Sequence, residues 1–158
     1  MSGGQEQPAA SRLTAVKFEG TPWSTAVCWN CGTESPGGTD TECPAPDCRR
    51  PLVPPALLVV FPDGQVEVQP GDRAALGRHG PHSRLFEAYP NVSRRHVVLG
   101  VDADGRAWIE PLRTSNGTFV NGDEVSPVQR TLDDDDTVRL AGDVEGTVTI
   151  FAGRRRDP

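Results

Sequence analysis

The chain has 158 residues and a formal net charge of -6, a length that fits one ordinary domain with an appendage and is short for most two-domain enzymes. Its 17 glycines and 15 prolines leave little room for long helices, and the most apolar run, Ala56 to Phe61, falls far short of a membrane span. With a polar N-terminus in place of a secretory signal, these features predict a cytoplasmic protein without membrane contact, and the negative charge disfavours bulk binding to nucleic acid.

In chain order, residues 1–22 are expected to form a disordered leader, because the N-terminal stretch lacks apolar periodicity. Residues 23–50 carry all four cysteines, spaced Cys28-x2-Cys31 and Cys43-x4-Cys48. Two short knuckles of this kind deliver four thiolates to one tetrahedral ion, and Zn²⁺ suits that ligand set. So short and polar a module buries too little surface to fold alone, so the metal would supply most of its folding free energy and be structural. Other readings of these cysteines are a catalytic zinc, a thioredoxin-like pair at Cys28 and Cys31, or two disulfides. A four-thiolate site leaves zinc no open position, Gly32 to Gly38 is unsuited to the helix a redox pair needs, and disulfides want an oxidising compartment. Between Leu13 and Arg50 the bases Lys17, Arg49 and Arg50 are outnumbered by carboxylates, so this zinc-ribbon-like module is expected to meet protein rather than nucleic acid.

Residues 51–56 read as a Pro-rich linker. From residue 57 to residue 152 short β-branched runs alternate with Asp, Gly, Asn and Pro, which predicts an all-β sandwich. The expected strands are Leu57 to Phe61, Gln65 to Gln69, Arg73 to Leu76, His96 to Val101, Ala107 to Glu110, Thr118 to Val120, Thr137 to Leu140 and Thr147 to Phe151. Asp63-Gly64 and Asn121-Gly122 mark tight turns. The run Asp133 to Asp136 is read as an acidic turn rather than a Ca²⁺ site, since consecutive carboxylates diverge. Residues 153–158, with Arg154, Arg155 and Arg156, read as a solvated basic tail.

Three loop strings stand out: Leu76-Gly77-Arg78, Val92-Ser93-Arg94-Arg95-His96, and Thr114-Ser115-Asn116-Gly117-Thr118-Phe119-Val120-Asn121-Gly122. In this order and spacing they resemble the forkhead-associated (FHA) domain, a phosphothreonine-peptide reader built as a β-sandwich, over about Leu57 to Phe151. The resemblance implies that Arg78 and Ser93 hold the phosphate, that Ser115 can add a hydroxyl, that Asn116 hydrogen-bonds the peptide backbone, and that Arg94 adds charge or grips the peptide. It makes Gly77, His96, Gly117 and Asn121 architectural. The chemistry agrees, since a phosphothreonine dianion calls for a guanidinium fork and small hydroxyl donors. The chain departs from the family pattern at Pro111, at Asp135-Asp136 in place of a Gly-Asp turn, and at Ala141 in place of glycine.

The resemblance implies a phosphothreonine-containing protein as partner, such as a Ser/Thr kinase or its substrate, in signalling. A phospho-independent interaction module and a zinc-ribbon nucleic-acid adaptor are the alternatives. Catalysis is not expected. Ser93, His96 and Asp102 are triad residue types without a nucleophile elbow, and Gly77 to Gly80 lacks the Lys-Ser/Thr of a P-loop. Lys17 is the only lysine, a bias typical of GC-rich bacterial genomes.

Overall fold

A computed structural model of the chain describes residues 20–35 and 40–152. The expectations for the leader as far as residue 19 and for the basic tail at 153–158 therefore lie outside the described residues. The described part is all-β apart from one 3-10 turn at Ser83–Leu85. Ten strands are named among the described residues: β1 Leu57–Phe61, β2 Gly64–Val68, β3 Arg73–Leu76, β4 Val97–Val101, β5 Ala107–Pro111, β6 Thr118–Val120, β7 Asp123–Glu124, β8 Arg130–Thr131, β9 Thr137–Leu140 and β10 Val144–Ile150.

They form two antiparallel sheets, one in the order β2-β1-β10-β9-β6-β7 and the other β3-β4-β5-β8. The period-2 pattern sets which side chains enter the core. In β10, Val144, Gly146 and Val148 are buried while Glu145 and Thr147 are exposed. The inner faces contribute Leu57, Val59, Phe61, Leu99, Ile109, Leu140 and their neighbours to one cluster, and Phe86 from the long β3–β4 loop closes it edge-on against Phe61 at 5.1 Å between ring centroids.

The all-β sandwich follows the apolar alternation, and most strand ends agree with it to within a residue. Strand β10 is the exception, beginning at Val144 rather than Thr147 because Val144 opens the turn from β9 already paired with Leu140. Strands β7 and β8 went unforeseen, since their residues are all exposed and backbone pairing alone defines them.

The segment before β1 is tied to the sandwich. Gly20 to Pro22 fell within the expected leader, yet Thr21 lies beside Phe151. Its amide donates to the Ile150 carbonyl at 2.7 Å, and its carbonyl accepts from Ala152 at 2.8 Å. Composition carries no record of such a distant partner. In the stretch read as a linker, Leu52 is 1% exposed and packs with Cys28 and Cys43, while Pro54 and Pro55 are buried. Trp29 meets Phe151 edge-on at 5.8 Å, Arg50 pairs with Glu67 on β2, and the Gln65 amide donates to Asn30 at 3.2 Å. The cysteine segment thus rests on the β2 edge of the larger sheet and on the C-terminal end of β10.

Candidate functional site

Two places concentrate chemistry-bearing side chains. At one end of the sandwich the two ends of the β3–β4 loop meet. The Arg78 and His79 amides donate to the carbonyls of Ser93 and Arg94, both at 3.1 Å. This stitching requires glycine at position 77, where a Cβ would overlap the Arg94 carbonyl oxygen and come within 2.8 Å of that of Ser93. Arg78 is half-buried, and its Nε donates to the Val92 carbonyl at 2.6 Å. That bond uses one edge of the guanidinium and leaves both Nη groups as donors with no hydrogen bond or ion pair among the described residues. Ser93 Oγ is likewise unengaged. An open depression of about 520 Å³ is lined by Arg78, His79, Ser93, Arg94 and Arg95.

Beneath it lies His96, 0% exposed. Its Nδ1 accepts from the Ser93 amide at 3.0 Å, so the proton sits on Nε2, which donates to the Gly117 carbonyl at 2.8 Å. The ring is held neutral, because burial lowers its pKa more than the Gly117 carbonyl raises it. It joins the Ser93 loop to the β5–β6 loop. There Thr114 Oγ1 accepts from the Gly117 amide at 3.0 Å, with Gly117 at φ +80, and Asn116 Nδ2 donates to the Asn91 carbonyl at 2.9 Å. Ser115 and Asn116 are exposed and lie outside the lining of the depression. Asn121 sits deeper. Its Nδ2 donates to Asp136 and its Oδ1 accepts from the Thr137 amide, each at 2.9 Å, which fixes the β6–β7 turn to the start of β9.

Two carboxylates of the acidic run, Asp134 and Asp136, are engaged by protein donors. Asp136 also accepts from the Asp133 amide at 2.8 Å, and Asp134 accepts from the Ile150 amide at 2.7 Å and from the Thr21 hydroxyl at 3.1 Å.

The second place is the cysteine segment, where the sulfurs of Cys28, Cys31, Cys43 and Cys48 all lie within 4.8 Å of one another. None is in a disulfide. Cys28 and Cys48 are 3.7 Å apart and Cys31 and Cys43 3.5 Å, close to the roughly 3.8 Å separating two thiolates on a tetrahedral ion with bonds of about 2.3 Å. Backbone amides aim at the sulfurs, from Asn30 to Cys28 at 3.3 Å and from Ala45 to Cys43 at 3.4 Å. The thiols are unequal. The Thr33 hydroxyl draws Cys31 down to about 6, the Arg50 amide lowers Cys48, and burial pushes Cys43 up to about 11. A cation among the four sulfurs is what would let all of them ionise together, so the donor set fits a metal.

Sequence reasoning missed several participants. The Val92 and Asn91 carbonyls that hold Arg78 and Asn116 are backbone acceptors, invisible in residue identity. Arg95 was quoted within its string without a role, although it lines the depression.

Residues 75–141 match the family model of the FHA domain. Solved structures similar in fold include an FHA domain from Arabidopsis thaliana, 26% identical with a TM-score of 0.54, the match covering 66% of this chain and 93% of that one. A second is an FHA domain studied for phosphothreonine-dependent interactions, 28% identical with a TM-score of 0.51 over 61% of this chain and 98% of that one. A third is Mycobacterium tuberculosis EmbR in complex with a low-affinity phosphopeptide, 27% identical with a TM-score of 0.51 over 68% of this chain and 27% of that one. No curated protein matches the chain in sequence. Among the described residues, no helix is long and apolar enough to cross a membrane.

Proposed function

The sandwich of this chain is an FHA domain, and from that premise we propose that the protein is a phosphothreonine-dependent protein-binding adaptor in Ser/Thr kinase signalling, taking its peptide at the loop tips. The observation that carries this reading is the Arg78 guanidinium, braced through Nε by Val92 beside the unengaged Ser93 hydroxyl. A phosphothreonine carries close to two charges and three acceptor oxygens. The two Nη groups of Arg78 provide a planar fork for two of them, and Ser93 Oγ, with Ser115 from the neighbouring loop, donates to the third. Asn116 hydrogen-bonds the peptide backbone, and Arg94 adds charge at the rim. His96, Gly77, Gly117 and Asn121 hold these groups in place before the peptide arrives, which lowers the entropic cost of binding.

The partner is a phosphothreonine-containing protein, a Ser/Thr kinase or one of its substrates. The protein is not an enzyme in this reading. Both ring nitrogens of His96 are occupied by backbone groups, so the imidazole has none free to act as a base toward Ser93. In the cysteine segment Cys28, Cys31, Cys43 and Cys48 hold one structural Zn²⁺, which cross-links the two knuckles.

Calorimetric titration with one peptide in threonine, phosphothreonine and phosphoserine forms tests the reading. Phosphothreonine is expected to bind, the unphosphorylated form not to bind, and phosphoserine to bind more weakly by about 1 kcal/mol for the lost methyl. Equal affinity for the three forms would overturn it. Elemental analysis of protein purified under reducing conditions should find one zinc per chain, and absence of stoichiometric metal contradicts the four-thiolate site.

A further inference from the structure

The four sulfurs of the cysteine segment are alike as ligands and unequal in access. Cys31 is exposed and Cys48 half-buried, whereas Cys28 and Cys43 are buried. Asn30 serves two of them, its backbone amide donating to Cys28 at 3.3 Å and its Nδ2 to Cys48 at 3.4 Å. The Cys31 sulfur touches the Thr33 hydroxyl at 3.1 Å and lies 3.5 Å from the sulfur of Cys43, which belongs to the other knuckle. An exposed thiolate with a second sulfur in contact behind it is the arrangement that turns a first oxidation into a disulfide.

A change at one sulfur is felt by the whole segment. Its apolar core consists of Cys28, Cys43 and Leu52, so little besides metal–thiolate bonds holds it. Trp29, which rests edge-on against Phe151 of the sandwich, sits between Cys28 and Cys31 and moves with them.

We propose that Cys31 is a peroxide-oxidation site with Cys43 as its resolving thiol, so that a hydroperoxide joins the two knuckles by a Cys31–Cys43 disulfide and releases the metal. The inference rests on the structural-zinc reading above and adds a reactivity to it. With the ion bound, all four sulfurs are thiolates. In the first step the Cys31 thiolate attacks one oxygen of hydrogen peroxide. The S–O bond forms, the O–O bond breaks and hydroxide leaves, which makes Cys31 a sulfenic acid. In the second step the Cys43 thiolate attacks the Cys31 sulfur. The S–S bond forms, the S–O bond breaks and a second hydroxide leaves. Two thiolates have then given two electrons to one peroxide. Cys28 and Cys48 remain, too few thiolates to retain a structural ion. At 3.7 Å apart, they close a second disulfide with a second peroxide by the same chemistry. The phosphothreonine site is spared, because no cysteine lines the depression.

The test uses the whole protein, purified with its zinc under reducing conditions and then freed of reductant. Hydrogen peroxide is added stepwise, released zinc is read with a chromogenic chelator, and the remaining thiols are alkylated in denaturant and mapped by mass spectrometry. At about one equivalent of peroxide the free thiols should fall from four to two, the joined pair should be Cys31–Cys43, and zinc should leave in step. Dithiothreitol with added zinc should restore the thiols and the metal. In Cys31→His the imidazole can replace the thiolate as a zinc ligand and offers no sulfur to oxidise, so release should slow about tenfold.

Protein that carries no zinc as purified overturns the zinc reading and this inference with it. Zinc that stays bound through an excess of peroxide overturns the oxidation site and leaves the structural zinc standing. So does a first disulfide that omits Cys31 or joins it to Cys28, and so does release from Cys31→His at the wild-type rate. Should Cys31→His purify without zinc, the identity of the first disulfide in the wild type decides alone.

Discussion

The apolar core of the sandwich, from Leu57 to Val148, is one continuous cluster, whereas that of the cysteine segment consists of Cys28, Cys43 and Leu52. Burial of apolar surface can hold the first. It cannot hold the second, where four converging sulfurs call for an ion to supply what the core lacks. The loop tips differ from both, since their order comes from buried polar links such as His96 between Ser93 and Gly117. Stability and recognition thus have separate physical sources, and each can be disturbed alone.

The largest expected effect follows from removing a ligand. In Cys43→Ser the segment 23–50 should lose its amide protection, because the proposed metal's contribution, on the order of 10 kcal/mol, would be withdrawn, while the sandwich keeps its own cooperative melt. Hydrogen exchange with a parallel thermal melt reads both. Loss of every transition at once would contradict the separation. The metal-free sandwich should still bind phosphothreonine peptide, since no cysteine lines the depression.

Next in size is His96→Ala, which leaves the Ser93 amide and the Gly117 carbonyl without their partner and should cost about 2–4 kcal/mol, read from denaturant unfolding. The wild-type residue also sets a pH dependence. Its folded pKa lies below the ordinary value of 6.5, so between the two values the unfolded chain binds the proton and the folded one does not. The stability associated with neutral His96 is fully present above about pH 6.5 and is lost as pH falls toward the folded value. Unfolding of the wild type and of His96→Gln at pH 7.5 and pH 5.5 should show the larger fall where His96 is present, since His82, whose pKa burial also lowers, remains in both.

Smaller effects probe the seam and the turns. Arg50→Ala removes a partly exposed ion pair with Glu67 and should cost about 0.5 kcal/mol, leaving peptide binding unchanged. Asp135 sits at φ 72 in an exposed turn, where glycine carries no steric penalty. Asp135→Gly should raise sandwich stability by about 0.5 kcal/mol in thermal melts, whereas an equal change in the cysteine segment would break the distinction between the two regions.

Local patterns made most of the sandwich legible. Alternation in Thr137 to Leu140 and the apolar run Leu57 to Phe61 betray strands because one face or both must be buried. Strands β7 and β8 leave no such trace, having no buried residue to mark them. The convergence of four sulfurs is legible because cysteines are rare and their spacing is short. The docking of Trp29 on Phe151 and of Thr21 beside the same residue is not, since each joins positions far apart in sequence. At the loop tips the side chains could be read from their strings. What orients Arg78 is the Val92 carbonyl, a group every residue has and which only the folded chain brings into position.

In the proposed function, recognition is concentrated at Arg78 and does not come from diffuse charge. Calorimetric titration of one phosphothreonine peptide against Arg78→Ala, Ser93→Ala and Arg106→Ala, each confirmed folded by thermal melting, tests it most directly. Arg78→Ala should cost roughly 2–5 kcal/mol, Ser93→Ala about 1.5–3 kcal/mol, and Arg106→Ala almost nothing. Losses of the same size in Arg78→Ala and Arg106→Ala would mean that the peptide is held by general attraction, and the loop-tip site would have to be given up.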